Sequence, residues 1–353
     1  MARSIMIMAG GTGGHVFPAL AVAEYLSARG WRVVWLGAKT GMEANLVPKY
    51  GYEMAWVRFS GLRGKGWLRA LVLPANLLLA FWQSARAILD RRPDVVLGMG
   101  GYISFPGGMM ASLLNRPLVI HEQNSVAGLA NKVLLRLADR ALQAFPHALR
   151  GAQLSGNPVR REIAALAPPR ERMDQRAGRI KLLVLGGSLG AQALNEAVPQ
   201  ALALLPEALR PEVTHQSGAQ HLATLQQGYA AAGVRAEAIA FIDDMAARYG
   251  AADLVICRAG ALTVSEIACA GIASILVPYP HAVDDHQTGN AQFLSARGAA
   301  ILLPQTELSA ERLAGLLRGL TRENLLDMAE KARALGKPDA TAAVARACME
   351  LAK

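Results

Sequence analysis

The chain has 353 residues, of which 52% are hydrophobic and 18% charged. This composition supplies a sizeable buried core and excludes an intrinsically disordered protein. Two domains are expected, because a single domain typically has ~100–200 residues. The three cysteines, Cys257, Cys269 and Cys348, lack metal-ligand spacing and are expected to be reduced core residues of a cytosolic protein.

The net charge of +10 is unevenly placed along the chain. Residues 1–163 carry 19 Lys and Arg against 8 Asp and Glu, whereas residues 164–353 carry 18 against 19. Excess positive charge on one half is typical of a protein with an anionic partner, either a membrane surface or a nucleic acid. The alternative is a basic surface that binds nothing.

Neither a signal peptide nor a membrane span is expected. Only residues 4–9 separate Arg3 from the first glycines, which is too short for a signal-peptide core. The longest apolar run, residues 68–82, is interrupted by an arginine, a proline and an asparagine and is shorter than the ~20 residues of a span. We therefore expect a soluble protein, or one attached to a membrane surface.

Strands and helices are predicted to alternate along the first half. Ser4–Met8 is a predicted strand, a glycine turn follows at residues 10–14, and a helix is predicted to begin near Pro18, where a missing N–H is harmless. The further predicted elements are a strand at 31–36, a helical stretch at 41–50, an extended stretch at 54–57, a basic loop at 60–66, a helix at 77–91, a strand at 94–97, a glycine loop at 98–108 and a strand at 118–121.

The same pattern restarts after a boundary between Arg160 and Ile180, where the polar, proline-bearing stretch at residues 168–176 suits a linker or an exposed loop. A strand is predicted at 181–185, a glycine turn at 186–191 and a helix from Gln192, and a last helix is predicted at 341–351. Alternation of this kind predicts an α/β protein with two Rossmann-like, doubly wound parallel sheets.

A strand, a turn and a helix are also predicted at residues 254–268, where apolar residues end at Gly260 and a good helix former follows. Free N–H groups at such a helix start form an anion site. Thr263 and Glu266 also fit a capping box, in which the glutamate would only close the helix end.

Several common site motifs are absent from the sequence. Neither half shows a complete dinucleotide fingerprint, and the P-loop, the nucleophile elbow and the H-E-x-x-H zinc motif are missing. Four glycine turns in two tandem halves instead indicate a diphosphate-bearing substrate held between domains.

Eight sequence blocks together resemble the MurG family over nearly the whole chain. They are GGTGGHVFPALAVA, SGLRGKG, DVVLGMGGYISFPGG, VIHEQNSVAGLANK, GNPVR, LGGSLGA, FIDDMA and CRAGALTVSE. Members of this family transfer N-acetylglucosamine from UDP-N-acetylglucosamine to undecaprenyl-pyrophosphoryl-muramoyl-pentapeptide (lipid I), giving lipid II for peptidoglycan. The resemblance implies a GT-B fold of two Rossmann-like domains facing a cleft and an inverting mechanism.

The resemblance also implies which domain does what. Residues 1–163 would bind the acceptor and face the membrane. Residues 164–353 would bind the UDP-sugar, with the last helix able to pack back on the first domain. No cofactor and no metal are implied, because helix N-termini and hydroxyls can meet the charge of the leaving diphosphate.

Donor-binding positions follow from the family motifs. Glu266 would bind the ribose hydroxyls, the backbone of Ile242 the uracil, and Gln287 with Asn290 the sugar. The full set of positions implied to bind UDP-N-acetylglucosamine is Thr12, Gly13, Gly14, Asn124, Arg160, Ser188, Ile242, Ala261, Leu262, Thr263, Val264, Ser265, Glu266, Gln287 and Asn290.

Acceptor chemistry is expected on the first half. The attacking hydroxyl loses a proton, and His15, directly after the first glycine turn, is the candidate base; the alternative is a histidine that only orients or caps. The positions expected to bind the acceptor are Gly10, Gly11, Gly100, Gly101, Tyr102, Gly187 and Gly190.

An interfacial anchor is predicted within residues 68–82 and the cations around it. Apolar residues flanked by arginines, with a tryptophan at one end, suit attachment to an anionic leaflet. The residues chosen for this role are Leu78, Leu79, Trp82, Arg69 and Arg86. The alternative is an ordinary buried helix face. The expected location is the cytoplasmic face of the bacterial inner membrane.

Two rival functions are open at this stage. One is another GT-B enzyme, such as a UDP-N-acetylglucosamine 2-epimerase, which should lack the GGTGGH and HEQN blocks. The other is a basic nucleotide- or nucleic-acid-binding module. It ranks lower because no nucleic-acid motif is present, and we expect no nucleic-acid partner.

Overall fold

The computed structural model describes residues 2–59, 73–174, 176–187 and 190–352. Two predicted features, the basic loop at 60–66 and Arg69, lie outside these ranges, as does Ser188. The chain forms two compact units, one of residues 1–160 with 338–353 and the other of residues 161–337.

The described part of the first unit contains a seven-stranded parallel sheet in the order β3-β2-β1-β4-β5-β6-β7. Its strands are β1 Ser4–Met8, β2 Arg32–Gly37, β3 Glu53–Trp56, β4 Val95–Gly98, β5 Leu118–Glu122, β6 Arg140–Gln143 and β7 Gln153–Leu154. Its helices before the linker are α1 Gly13–Ser27, α2 Glu43–Leu46, α3 Leu73–Arg91, α4 Ser104–Leu113 and α5 Leu129–Leu134.

Every residue of β1 is buried, because helices cover both faces of the sheet. Successive side chains point to opposite faces, so Ile5 and Ile7 join one core cluster while Met6 and Met8 join the other. This double burial explains why the strand is a continuous apolar run in the sequence.

The described part of the second unit contains a six-stranded parallel sheet in the order β10-β9-β8-β11-β12-β13. Its strands are β8 Lys181–Leu185, β9 Glu212–Gln216, β10 Glu237–Ile239, β11 Leu254–Cys257, β12 Ala273–Leu276 and β13 Ile301–Leu302. Its helices are α6 Arg161–Ala164, α7 Pro169–Met173, α8 Gln192–Ala203, α9 Leu222–Ala231, α10 Met245–Ala251, α11 Ala261–Ala270, α12 His286–Ser295, α13 Ala310–Arg318 and α14 Arg322–Leu335.

The last helix, α15 Ala340–Leu351, belongs to the first unit. Val344 and Cys348 are fully buried in the core cluster that contains Val16 and Leu20 of α1. The first boundary differs from the expected ranges of 1–163 and 164–353, because residues 161–163 fall in the second unit. Residues 338–353, which contain the last helix, lie in the first unit, onto which that helix was expected to be able to pack.

One predicted helix start is wrong. Helix α1 begins at Gly13, not near Pro18, which lies inside the helix. Thr12 is the N-cap in an extended conformation, and its carbonyl accepts from the amides of His15 and Val16. The helix therefore starts directly in the glycine turn.

Across the described residues, none of the helices combines the length and the apolar character that a membrane crossing requires.

Candidate active site

The strand order of the first sheet reverses between β1 and β4, and both strands end in glycine turns. Residues 10–14 follow β1, and Gly100 and Gly101 follow β4. Ligands of open α/β sheets bind at such a switch point, outside the carboxyl ends of the strands. The structure thus brings these predicted glycines to one edge of the sheet.

The two turns are in direct contact. Gly101 has a φ of +79°, and a β-carbon at this residue would overlap the carbonyl oxygen of Gly10. The single hydroxyl hydrogen of Ser104 is shared between the Gly100 carbonyl at 2.7 Å and the Met8 carbonyl at 3.0 Å. The two turns are therefore packed directly against each other.

Glu43, which had no predicted role, fixes the first turn through a hydrogen bond to its backbone. Its carboxylate is fully buried and accepts from the amides of Gly11 at 3.0 Å and Ala38 at 3.1 Å. The Gly11 amide is consequently occupied within the protein. The amides that the α1 N-terminus leaves without helical acceptors are those of Gly13 and Gly14.

Tyr102 lies beside this turn. A β-carbon on Gly11 would be 3.3 Å from its ring. Its half-burial and the charge of Glu43 raise the pKa of the phenol, while a hydrogen bond with Thr40 opposes this shift.

His15 is partly buried and hydrogen-bonds to a residue far along the chain. Its Nδ1 lies 3.1 Å from Oε1 of Gln123, and Nε2 of Gln123 donates to the Met99 carbonyl at 2.8 Å. Gln123 is almost fully buried. The predicted base is thus held by the turn that follows β5.

The neighbouring residues of the HEQN block are mostly buried and paired. Glu122 accepts from the backbone amides of Asn124 and Gly128 and from the side chain of Asn131. His121 hydrogen-bonds through Nε2 to the Gly156 carbonyl at 2.9 Å, and its complete burial lowers the pKa of the imidazole to about 4. Glu122 thereby fixes the backbone at Asn124.

Arg160 is the last residue of the first unit before the chain enters the second unit. Its guanidinium carbon lies 6.0 Å from the centroid of the Phe17 ring on α1. This predicted donor-binding residue therefore stays with the helix that carries His15.

The second sheet has an equivalent switch point between β8 and β11. Gln216, at the end of β9, accepts from the Gly187 amide at 3.1 Å and donates to the Gly187 carbonyl at 2.9 Å. Gly190 has a φ of +79°, and a β-carbon there would overlap the Ser217 carbonyl oxygen. The turn after β8 is thus fixed by Gln216 and Ser217 at the end of β9, as Glu43 fixes the turn after β1.

Helix α11 begins at this switch point with Gly260 as its N-cap. Thr263 is the third residue of the helix, so the proposed capping box of Thr263 and Glu266 is wrong. Glu266 is almost fully buried, and the Tyr249 hydroxyl lies 3.4 Å from its Oε2. Its carboxylate faces the neighbouring helix α10 rather than closing its own helix.

The predicted sugar-contacting residues begin and line α12. Oε1 of Gln287 accepts from the Tyr279 amide at 2.9 Å, which leaves its NH2 group as a donor. Asn290 is fully buried and donates to the Ala259 carbonyl at 3.1 Å, so its amide joins α12 to the turn after β11. Ile242, the residue predicted to contact uracil through its backbone, is also buried.

Arg258, another residue without an assigned role in the sequence analysis, braces this region. Its guanidinium donates to the carbonyls of Val277 and Pro278 at 3.2 Å and to Gln305 at 2.6 Å. It also lies 5.5 Å from the Tyr279 ring centroid, and burial lowers the pKa of the group. Arg258 thus supports the segment after β12, whose Tyr279 amide donates to Gln287.

The sequence matches two domain families over most of its length. Residues 5–143 match the glycosyltransferase family 28 N-terminal domain, and residues 181–345 match the glycosyltransferase family 28 C-terminal domain. The chain belongs to glycosyltransferase family 28.

Relatives within this family cover the chain from end to end. A protein of Nitrosospira multiformis is 64% identical over 99% of both chains, and one of Dechloromonas aromatica is 62% identical over 100% of both. Both are named UDP-N-acetylglucosamine--N-acetylmuramyl-(pentapeptide) pyrophosphoryl-undecaprenol N-acetylglucosamine transferase. The crystal structure of Acinetobacter baumannii MurG is 40% identical, covers 99% of both chains and superposes with a TM-score of 0.87.

These similarities confirm the MurG resemblance and the GT-B fold of two Rossmann-like domains. The two parallel sheets and their strand orders agree with that fold. The residue-by-residue roles in donor and acceptor binding stay predictions.

Proposed function

We propose that this chain transfers N-acetylglucosamine from UDP-N-acetylglucosamine to lipid I, forming lipid II. The observation that carries the proposal is the end-to-end identity of 60% or more to relatives named for this transfer. The two glycine-lined switch points supply a physical basis, because each suits a phosphate-bearing ligand.

The second unit would bind the donor. Amides at the start of α11, at residues 261–263, would face the diphosphate, whose charge grows as UDP leaves. Glu266 would accept from the ribose hydroxyls, and the Ile242 backbone would meet the uracil. The NH2 group of Gln287 would donate to a sugar hydroxyl, because its oxygen is already used by Tyr279.

The first unit would bind the acceptor, with His15 as the base. As the acceptor oxygen bonds to the anomeric carbon, the bond from that carbon to the phosphate oxygen breaks on the opposite face. The hydroxyl proton passes to His15 Nε2, since Nδ1 is hydrogen-bonded to Gln123. The Gly13 and Gly14 amides at the α1 N-terminus, which the family resemblance assigns to UDP-N-acetylglucosamine, would bind a phosphate of the donor.

Attachment to the membrane would use α3, which exposes part of its apolar side. Leu78, Leu79 and Trp82 are 68%, 37% and 57% exposed, whereas Ala80, Ser84, Ala87 and Ile88 of the same helix are buried. The guanidinium carbon of Arg86 lies 5.7 Å from the centroid of the Trp82 ring. Exposed apolar side chains beside a cation suit the anionic cytoplasmic leaflet, where the lipid acceptor is held.

The decisive experiment incubates the protein with UDP-N-acetylglucosamine and a short-chain lipid I analogue. Release of UDP together with a glycosylated lipid is expected. Formation of free N-acetylmannosamine would instead support the epimerase alternative. Salt-sensitive duplex binding without affinity for the UDP-sugar would support the nucleic-acid alternative.

A further inference from the structure

We propose that Gln123 is a positioning residue that holds His15 in the neutral tautomer with its proton on Nδ1, leaving Nε2 as the proton acceptor. This inference rests on the proposed role of His15 as the base. The role of Gln123 depends on the direction of its hydrogen bond with His15, that is, on which of the two residues donates.

That direction follows from the partners of the Gln123 amide. A carbonyl oxygen can only accept, so the Gln123 group facing Met99 must be its NH2, at 2.8 Å. The amide oxygen is then the atom facing His15, at 3.1 Å from Nδ1. An amide oxygen cannot donate, so Nδ1 must carry the hydrogen. In the neutral ring Nε2 is consequently unprotonated and can receive a proton.

Gly100 packs closely against both members of the pair. A β-carbon on Gly100 would lie 2.8 Å from His15 Nδ1 and 3.0 Å from Gln123 Oε1. Gln123 itself is 1% exposed, so water cannot readily replace either of its partners. The pair also joins the turns after β1, β4 and β5, which all meet at the switch point.

The titratable groups of the neighbouring segments are themselves engaged. Glu43 accepts from the amides of Gly11 and Ala38, and Glu122 accepts from the amides of Asn124 and Gly128.

His121 is neutral above about pH 4, since burial lowers its pKa, and the nearby charge of His15 lowers it slightly further. Burial and the charge of Glu43 raise the pKa of Tyr102, which is therefore neutral as well. Arg160 stays over the Phe17 ring. Gln123 thus orients the imidazole without placing a further negative charge beside it.

The tautomer can be observed without catalysis. Protein labelled with 15N-histidine contains seven histidines, and the His15 signals are those lost in His15→Ala. Long-range 1H–15N correlation spectra of the neutral His15 imidazole in the substrate-free wild type should show a protonated Nδ1 and an unprotonated Nε2. In Gln123→Leu, which has a similar volume but no amide, the two tautomers should mix.

Kinetic measurements on the same variants test whether the tautomer of His15 affects the rate of transfer. With fold integrity checked by circular dichroism, Gln123→Leu should lower kcat by about 10–100-fold, less than the roughly 10²–10⁴-fold that a general base contributes. The KM for UDP-N-acetylglucosamine should stay unchanged. Gln123→Glu keeps an acceptor for Nδ1 and should retain the wild-type tautomer.

A wild-type His15 with its proton on Nε2 would overturn the proposal. So would an unchanged kcat in a Gln123→Leu variant whose tautomers have mixed. If Gln123→Leu does not fold, the spectra of the wild type and of Gln123→Glu decide: a His15 proton on Nε2 in either protein contradicts the proposal. An unchanged kcat in His15→Ala would refute the base assignment itself, while the spectra would still report the tautomer.

Discussion

A β-carbon on Gly101 would overlap the carbonyl oxygen of Gly10. Gly101→Ala should therefore push apart the two turns that carry the acceptor-side site. The positive φ and the overlap together should destabilise the fold by about 3 kcal/mol and abolish most of the activity. Thermal unfolding and product formation at saturating donor measure the two effects.

Gly30→Ala is the matched control for this variant. Gly30 has the same φ of +79°, but a β-carbon there meets nothing within 4 Å. It should cost only about 1 kcal/mol, from backbone strain alone, and keep the activity. Equal losses in both variants would show that contact between the turns does not matter.

Replacing Glu266 with alanine should raise the KM for UDP-N-acetylglucosamine more than it lowers kcat. Loss of hydrogen bonds to the ribose should cost on the order of 1–3 kcal/mol, about a 5- to 150-fold change in donor kcat/KM. Tyr249→Phe is the control, because it removes the hydroxyl 3.4 Å from the Glu266 carboxylate and leaves the carboxylate in place. If both variants lose stability but keep the donor KM, Glu266 is a structural residue.

His121 should make the first unit sensitive to acid. Burial lowers its pKa in the folded state to about 4, below the ordinary value of 6.5. The unfolded state therefore binds more protons below pH 6.5, and stability falls from there until about pH 4. Between pH 7.5 and pH 5 the loss from this residue should be about 2 kcal/mol.

Denaturant unfolding followed by tryptophan fluorescence can measure this slope, because all five tryptophans lie within residues 31–82. His121→Gln keeps a donor for the Gly156 carbonyl but does not titrate. It should be less stable than the wild type at pH 7.5 and show a smaller loss on acidification. Parallel pH slopes in the two proteins would contradict the assignment.

The exposed side of α3 should bind anionic vesicles. Leu78→Ser with Trp82→Ser should weaken sedimentation with vesicles rich in acidic lipid, and added salt should weaken wild-type binding too. Donor affinity should not change. Leu209→Ser in the second unit is the control, since Leu209 is also 55% exposed. If Leu209→Ser weakened vesicle binding as much as the α3 variant, binding would not depend on the position of the exposed residues on α3.

The order of elements was predictable because buried parallel strands are continuous apolar runs. The strands Ser4–Met8 and Lys181–Leu185 have the predicted bounds. Helix starts were less predictable. Pro18 suggested a first helical position, whereas the carbonyl of Thr12 already begins the helix. Thr263 similarly suggested a cap that Gly260 provides.

The glycine turns of the candidate site could be located from sequence, but the side chains that hold them could not. Glu43, Gln123 and Gln216 bond to partners 32, 108 and 29 residues away. Such pairings depend on strand order, which no local pattern encodes. Gln123 lies within a family motif, yet only its two hydrogen bonds indicate what it does.

Because α15 packs into the first unit, the order of synthesis and the order of folding differ. A ribosome completes residues 1–160 long before it makes residues 338–353, and the whole second unit is translated in between. Until then, the sites in the first core that Val344 and Cys348 fill are uncovered beside α1. The unit translated first is therefore the one completed last, and a nascent chain must keep its apolar surface from aggregating throughout that interval.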